Sequence, residues 1–300
     1  MPKSLIILLG PTGVGKTELS LKIADHYQTE IISCDSRQIF KEMSIGTAVP
    51  DPESLAKIAH HFIQSHSIHD NYNARKFELE ALEKLEALFQ QNNCVVMTGG
   101  SMLYIDALCK GLDDLPDIDP QLRQRLMNRK EIEGMLPMQN ELLQLDPVYY
   151  HEVDLQNPKR VMHALEMCIM TGKPYSDLRT KQPQIRPFNI IKVGLNRDRA
   201  ELHHRINGRV DQMFDQGLEA EAQKLLPYRH LNSLNTVGYR ELFDFFDGEI
   251  TLNQAKDKIK ANTRKYARKQ LTWFRRDIEI TWFTPDMEEP IISFLNEKLA

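Results

Sequence analysis

The sequence predicts an α/β protein: a parallel-sheet core built on a phosphate-binding loop, a helical insertion in its middle and a mainly helical C-terminal part. Three observations carry this. Short β-branched or aliphatic runs alternate with stretches of helical periodicity, a glycine-rich loop joins the first run to the first helix, and composition shifts abruptly over residues 113–187. The 300 residues leave room for a parent domain and a second, smaller lobe.

Residues 5–9, 30–34, 94–98 and 189–195 are apolar runs bounded by turn signals, the pattern of buried parallel strands. A helical stretch at 17–27 separates the first two. Another at 74–90 precedes the third, with Phe77, Leu79, Leu82, Leu85, Leu88 and Phe89 at roughly helical spacing. Residues 113–187 hold eight of the fifteen prolines and no convincing strand, so they are expected to form a helical insertion with proline-marked joints between core segments 1–112 and 188–300. The chain then turns helical over 199–217, 218–226, 238–246 and 252–276, before a last strand at 280–283 and a terminal helix. In the 252–276 helix, Ala255, Ile259, Tyr266 and Trp273 are expected on the buried face.

The apolar share of 41% and charged share of 27% are those of a globular protein, and no apolar run approaches the ~20 residues needed to cross a bilayer. The run at 5–9 is too short for a signal-peptide core, so a cytoplasmic protein is expected, acting as a monomer. Cys34, Cys94, Cys109 and Cys168 form neither a CxxC pair nor a disulfide-like framework and read as reduced thiols. The balance of 38 basic and 42 acidic residues, net −4, argues against a nonspecific polyanion binder but permits a local basic surface.

Gly10-Pro11-Thr12-Gly13-Val14-Gly15-Lys16-Thr17 matches G-x-x-x-x-G-K-[ST] between a predicted strand and a predicted helix. Glycines let backbone N–H groups converge on phosphate oxygens, the helix aims its positive end there, Lys16 adds a mobile cation and the Thr17 hydroxyl can hold Mg²⁺. A motor-type NTPase wants an acid closing a later apolar strand, but residues 94–98 run into Gly99-Gly100-Ser101. The acid instead closes the second strand, as Asp35. Carboxyl ends of strands face the ligand crevice in open α/β sheets, which places Asp35 near the phosphate loop; a surface Asp capping a helix is the alternative.

Two further clusters have bland alternatives. His60, His61, His66 and His69 fall within ten residues, but with no cysteine nearby they read as packing or hydrogen-bonding residues in a loop-like segment rather than a zinc site. Arg264, Lys265, Arg268, Lys269, Arg275 and Arg276 crowd the end of the 252–276 helix. Such a run is either a solvated face or a contact for a nucleic-acid backbone.

Taken in order, the phosphate loop, Asp35-Ser36-Arg37-Gln38, Gly46-Thr47-Ala48-Val49-Pro50, His60-His61 and Gly99-Gly100-Ser101-Met102-Leu103-Tyr104 resemble the tRNA dimethylallyltransferase family. The likeness continues through Asn157-Pro158-Lys159-Arg160, Arg205 to Asp211, Val237-Gly238-Tyr239-Arg240 and Lys269-Gln270-Leu271-Thr272-Trp273-Phe274-Arg275. The chain departs from the family pattern at Gly13-Val14, where many relatives carry Ala-Ser, at Ser101 for Thr, and at Gln64, where an acid is common.

Membership implies a P-loop NTPase-like core and transfer of a dimethylallyl group from dimethylallyl diphosphate to N6 of the adenosine 3′ of the tRNA anticodon, with Mg²⁺. The chemistry agrees with the residues. An exocyclic amine is a poor nucleophile and needs a carboxylate to take its proton, a role for Asp35; the leaving diphosphate needs the loop N–H groups, Lys16 and a Thr17-bound metal. The resemblance further implies that Arg209 contacts the diphosphate. It also sets Asp35, Ser36, Arg37, Gln38, Ser101, Arg123, Lys159, Arg160, Val161, Met162, His163, Asn235, Thr236, Val237, Gly238, Tyr239 and Arg240 against the tRNA anticodon arm. The enzyme alternative is a small-molecule or nucleotide kinase binding ATP in the same loop; a switch-type nucleotide binder is the non-enzyme one.

Overall fold

The computed structural model describes residues 2–113, 115–179 and 182–300. They divide into two compact units, Met1–Cys109 with Ile185–Ala300, and Lys110–Gln184, against the 113–187 expected for the insertion.

The first unit is built on a parallel six-stranded sheet of β1 (Ser4–Leu9), β2 (Ile31–Ser33), β3 (His60–His61), β4 (Cys94–Gly99), β5 (Asn189–Leu195) and β6 (Thr281–Phe283), in the order β3-β2-β4-β1-β5-β6. Every residue of β1 is buried, flanked by β4 (Leu9 opposite Gly99) and β5 (Leu9 opposite Gly194). A fully buried central strand, apolar from Leu5 to Leu9, follows from helices covering both sheet faces. His60-His61 is the one strand without a periodic signal: two residues pair with Ile31 and Ile32 at the sheet edge, where a loop-like segment was expected.

Helices α1 (Lys16–His26), α2 (Pro52–Lys57), α3 (Ala74–Leu88) and α4 (Met102–Lys110) precede the second unit. In α3 the buried line is Phe77, Ala81, Leu85 and Leu88; Leu79, two positions off it, is 52% exposed. Glu78 takes an interior place instead, bonded by Arg75 and Arg186.

The second unit consists of α5 (Pro120–Glu133), α6 (Leu136–Leu145), α7 (Pro147–Glu152), α8 (Pro158–Thr171) and α9 (Tyr175–Leu178). Four of its helices carry proline in their first turn, where no N–H is required, which is the physical content of the proline-marked joints. It has its own core of Leu122, Leu126, Met138, Leu142, Tyr149, Val161, Ala164 and Leu165. Buried Asp146 is satisfied by Tyr149 N–H (2.9 Å) and by the Ser176 N–H (2.7 Å) and hydroxyl (2.8 Å). The unit begins and ends at one point, Gln184 N–H donating to Lys110 O at 2.7 Å.

Helices α10 (Arg199–Asp215), α11 (Leu218–Leu225), α12 (Tyr239–Phe246), α13 (Leu252–Phe274) and α14 (Glu288–Leu299) complete the first unit. Asp198 caps α10 and a Thr251–Gln254 capping box starts α13. The buried line of α13 is Ala255, Ile259, Ala267, Gln270 and Phe274. Tyr266 and Trp273 therefore sit one position off it, Tyr266 at 36% exposure and the Trp273 indole half-buried, donating to Asp106 at 2.9 Å. Among the described residues no helix is long and apolar enough to cross a membrane.

Candidate active site

The carboxyl ends of β1, β2 and β4 open into a cleft of about 590 Å³ lined by Thr12, Gly13, Gly15, Lys16 and Thr17 on one side and by Ser33, Asp35, Gln38, Thr47, Ala48 and His60 on another; Arg205 and Arg209 of α10 also reach it. Sheet order produces this meeting. The chain leaves β1 for the phosphate loop, while β2, separated from it by β4, delivers Asp35 to the same end.

The loop keeps its shape through bonds to its peptide groups and the Thr12 hydroxyl. Lys16 Nζ donates to Gly10 O and Pro11 O, both at 3.0 Å. Arg205 Nε donates to Gly13 O at 3.0 Å and Arg197 Nε to Val14 O at 2.8 Å. Thr12 N–H donates to Gln270 Oε1 at 2.9 Å, and Arg209 donates to the Thr12 hydroxyl. With four carbonyls and the Thr12 N–H tied in this way, the loop holds a fixed shape ahead of the α1 N-terminus, the setting of an anion nest. Gly13, a departure from the family pattern, has φ +83°, and a Cβ there would stand 2.9 Å from Ile206 Cγ1. Val14 points into the core and Pro11 is buried, so they shape the loop without facing a ligand.

Lys16 and Arg209 are charged groups in a partly dry place. Burial, with the neighbouring Arg209 second, pulls the Lys16 ammonium down from 10.5 to about 8, although Asp35 acts the other way. Burial likewise lowers the Arg209 guanidinium, with Asp35 opposing. Both stand within electrostatic reach of Asp35.

The Asp35 turn is tied down in its own way. Asp35 Oδ1 accepts from Arg37 N–H (2.9 Å) and Gln38 N–H (3.3 Å), leaving Oδ2 to the cleft. Ser36 N–H donates to the Ser101 hydroxyl at 2.8 Å, a group that Ser and Thr both carry. Gln38 Nε2 donates to Thr47 O (3.2 Å) and Ala48 O (2.8 Å), and Gln38 Oε1 accepts from the Ser33 hydroxyl. Arg37 reaches Asn232 O at 3.2 Å. Burial pushes the Tyr266 hydroxyl up, with the Asp35 charge adding to it, so this residue of α13 is within electrostatic reach of the acid.

The remaining sequence-expected positions fall in three groups. Asn235 and Arg240 are exposed, Thr236 and Val237 half-buried and Gly238 buried, at the start of α12. The Tyr239 side chain is fully buried: its hydroxyl donates to Glu221 Oε1 at 2.7 Å, and Glu221 also takes the N–H groups of Ser44, Ile45 and Gly46. In the second unit Lys159 and Arg160 are exposed, Met162 and His163 half-buried, and Val161 belongs to the core. With their side chains buried, Tyr239 and Val161 hold exposed neighbours in place in this structure. Arg123 is engaged bidentately with buried Glu166 at 2.7 and 2.8 Å.

Sequence reasoning missed Arg197, Arg205, Gln270 and Glu221 as site-building residues. Gln270 alone left a trace, a polar residue in phase with the apolar line of α13.

A parallel sheet with a phosphate loop, a cation pair and an acid facing them across one cleft defines a P-loop protein that handles a diphosphate or triphosphate ligand. The chain belongs to the IPP transferase family, whose model matches residues 38–277. It is 56% identical over 296 residues to "tRNA dimethylallyltransferase 2" of Parabacteroides distasonis and 54% identical to "tRNA dimethylallyltransferase 1" of Phocaeicola vulgatus, covering 99% of each chain in both cases. Among solved structures it resembles the full-length tRNA isopentenylpyrophosphate transferase of Bacillus halodurans, with TM-score 0.73, 32% identity and coverage of 99% of this chain and 97% of that one.

Proposed function

We propose that the protein transfers a dimethylallyl group from dimethylallyl diphosphate to N6 of the adenosine 3′ of the anticodon in tRNA, releasing diphosphate. The observation that carries this is Asp35, held with one carboxylate oxygen free in the cleft that the phosphate loop, Lys16 and Arg209 also line.

The diphosphate occupies the loop nest, where Lys16 and Arg209 exchange their neutral acceptors for its oxygens. The N6 lone pair attacks C1 of the dimethylallyl group as the C1–O bond breaks, and that electron pair leaves on the diphosphate. The N6 proton passes to Asp35 Oδ2. Charge grows on the leaving oxygen as the bond opens, so the loop N–H groups and both cations stabilise the transition state more than the ground state.

The donor set also fits Mg²⁺. Among the described residues no cluster of three His, Cys, Asp or Glu could cage a metal, whereas the Thr17 hydroxyl lines the phosphate cleft, the arrangement of an ion completed by phosphate oxygens and water. Bound there, Mg²⁺ would neutralise charge on the departing diphosphate.

The first unit offers tRNA the exposed Lys265, Arg268, Lys269, Arg275 and Arg276 at the end of α13 with Asn235 and Arg240 at α12; the insertion, taken by itself, offers Lys159 and Arg160. These supply phosphate contacts, while a splayed-out adenine reaches the Asp35 turn. The protein works as a monomer in the cytoplasm, where its tRNA is. One incubation tests the proposal: protein, Mg²⁺ and unmodified tRNA with either dimethylallyl diphosphate or ATP, nucleosides read by mass spectrometry. N6-dimethylallyladenosine in the first arm alone supports it; phosphate transfer from ATP without prenylation would establish the kinase alternative.

A further inference from the structure

Gln270 is 2% exposed, the one polar member of the buried line of a 23-residue helix. An amide removed from water is tolerated when both its ends are bonded. Here Oε1 accepts the Thr12 N–H at 2.9 Å across 258 residues of sequence, and Nε2 donates to Gly100 O at 2.8 Å.

The two partners belong to different segments that meet at the cleft, where Thr12 and Gly99, the residue before Gly100, are both among the lining. Thr12 is in the phosphate loop, and its hydroxyl takes Arg209, so anchoring its backbone also sets a diphosphate cation. Gly100 lies between two residues stitched to the Asp35 turn: a Cβ on Gly99 would meet Cys34 Sγ at 2.5 Å, Ser101 N–H donates to Cys34 O at 3.3 Å, and the Ser101 hydroxyl takes Ser36 N–H. A Cβ on Gly100 itself would stand 2.2 Å from Gln270 Nε2, so the amide needs glycine there. Its sequence neighbours Arg268 and Lys269 are exposed on the same turn of α13.

We propose that Gln270 is a positioning residue that ties the phosphate loop to the Asp35 turn and holds the donor and acceptor walls of the cleft in register. The proposal rests on the transfer reading above for what the walls bind, but not for the tie itself. Only a side chain presenting an acceptor and a donor at one end makes both bonds; the substitutions below either disturb the bond to Gly100 or remove both.

Gln270→Glu keeps an acceptor for Thr12 N–H but, when ionised, turns an oxygen toward Gly100 O; when protonated it regains a donor. Binding of magnesium pyrophosphate, measured by calorimetry, should stay within about threefold of parental, because the loop arm is intact. The single-turnover transfer rate at saturating donor should fall roughly tenfold or more, and its ratio to the parental rate should recover as pH drops from 8 to 6 and the buried carboxyl protonates. A residue that merely fills space would not give that recovery. Gly100→Ala, whose Cβ displaces the amide, should reproduce the rate loss, and it decides the matter alone if the Glu variant fails to fold. Gln270→Met, which loses both bonds, should also weaken pyrophosphate binding, an outcome that stays decisive even if the parental protein proves not to prenylate tRNA. Parental rates in folded Gln270→Glu and Gly100→Ala, a pH-independent deficit in the former, or parental pyrophosphate affinity in folded Gln270→Met would overturn the proposal.

Discussion

Lys16 and Arg209 in the cleft and Arg123 and Arg129 in the insertion are cations held by opposite kinds of partner. Among the described residues, the cleft pair hydrogen-bonds neutral oxygens: two carbonyls for Lys16, the Thr12 hydroxyl for Arg209. The insertion pair meets carboxylates, Glu166 for Arg123 and Glu133 and Glu141 for Arg129. Proton affinities follow. Burial lowers both cleft cations, whereas the Glu166 hydrogen bonds raise Arg123 and those of Glu133 and Glu141 raise Arg129. Burial by itself would raise Glu166, but bonds from His163 and Arg123 outweigh it and hold the carboxyl low. A cation with its own carboxylate is finished; a desolvated cation bonded to neutral groups is poised for an anion that the fold does not contain. The contrast supports the proposed diphosphate site at Lys16 and Arg209 without reference to any relative.

The largest effect belongs to the acid that faces the cleft cations. Asp35→Ala should lower the transfer rate by about 10²-fold or more with donor affinity largely intact, since only the proton acceptor is lost. Near-parental turnover in that variant removes Asp35 from the mechanism. Next comes Arg209→Ala, which deletes one charge-assisted contact and should weaken binding of the diphosphate donor roughly 10- to 100-fold, read by calorimetry. An unchanged dissociation constant there would erase the distinction between the two kinds of cation.

A smaller change is expected at the exposed end of α13. Replacing Arg268 and Lys269 together by Gln should make the slope of log tRNA affinity against log salt shallower by roughly one to two units. Donor binding should hold, and a parental slope in a protein shown folded by circular dichroism makes the cluster a solvated face. Smallest of all, Arg123→Gln should leave donor affinity within about twofold, because the guanidinium is committed to Glu166. A large loss of donor binding there would mean that paired and poised cations are not functionally different.

The legible and illegible parts of the molecule differ in how far apart in sequence their partners stand. The phosphate loop was readable because its chemistry is contiguous from Gly10 to Thr17 and its context, a strand then a helix, is local. Asp35 was readable as an acid closing a strand, although its position opposite the loop depends on sheet order. Arg209 came from family likeness, and nothing in a charged helix distinguished it from Arg197 or Arg205, each bonded to a loop carbonyl more than 180 residues away. Helical spacing from Ala255 and Ile259 puts Tyr266 on the buried face of α13; the helix instead turns one residue further, burying Ala267 and Gln270 and leaving Tyr266 36% exposed. His60-His61 could not be read as a strand, since two residues carry no alternation.

Proton uptake on donor binding tests most directly that the cleft cations are poised for an anion. In the free protein the Lys16 ammonium titrates near 8, below its unfolded 10.5, so the unfolded chain binds more protons between those values and the stability of the free protein rises with pH across that window. Binding runs the other way. A diphosphate beside Lys16 favours the charged form, so affinity should fall above pH 8, by up to about tenfold per pH unit, and binding at pH 8 should draw in about half a proton per site. Calorimetry with magnesium and dimethylallyl diphosphate in buffers of different ionisation enthalpy measures that number. An uptake near one half, abolished in Lys16→Met, is the predicted result; no uptake, or the same uptake without Lys16, would contradict it.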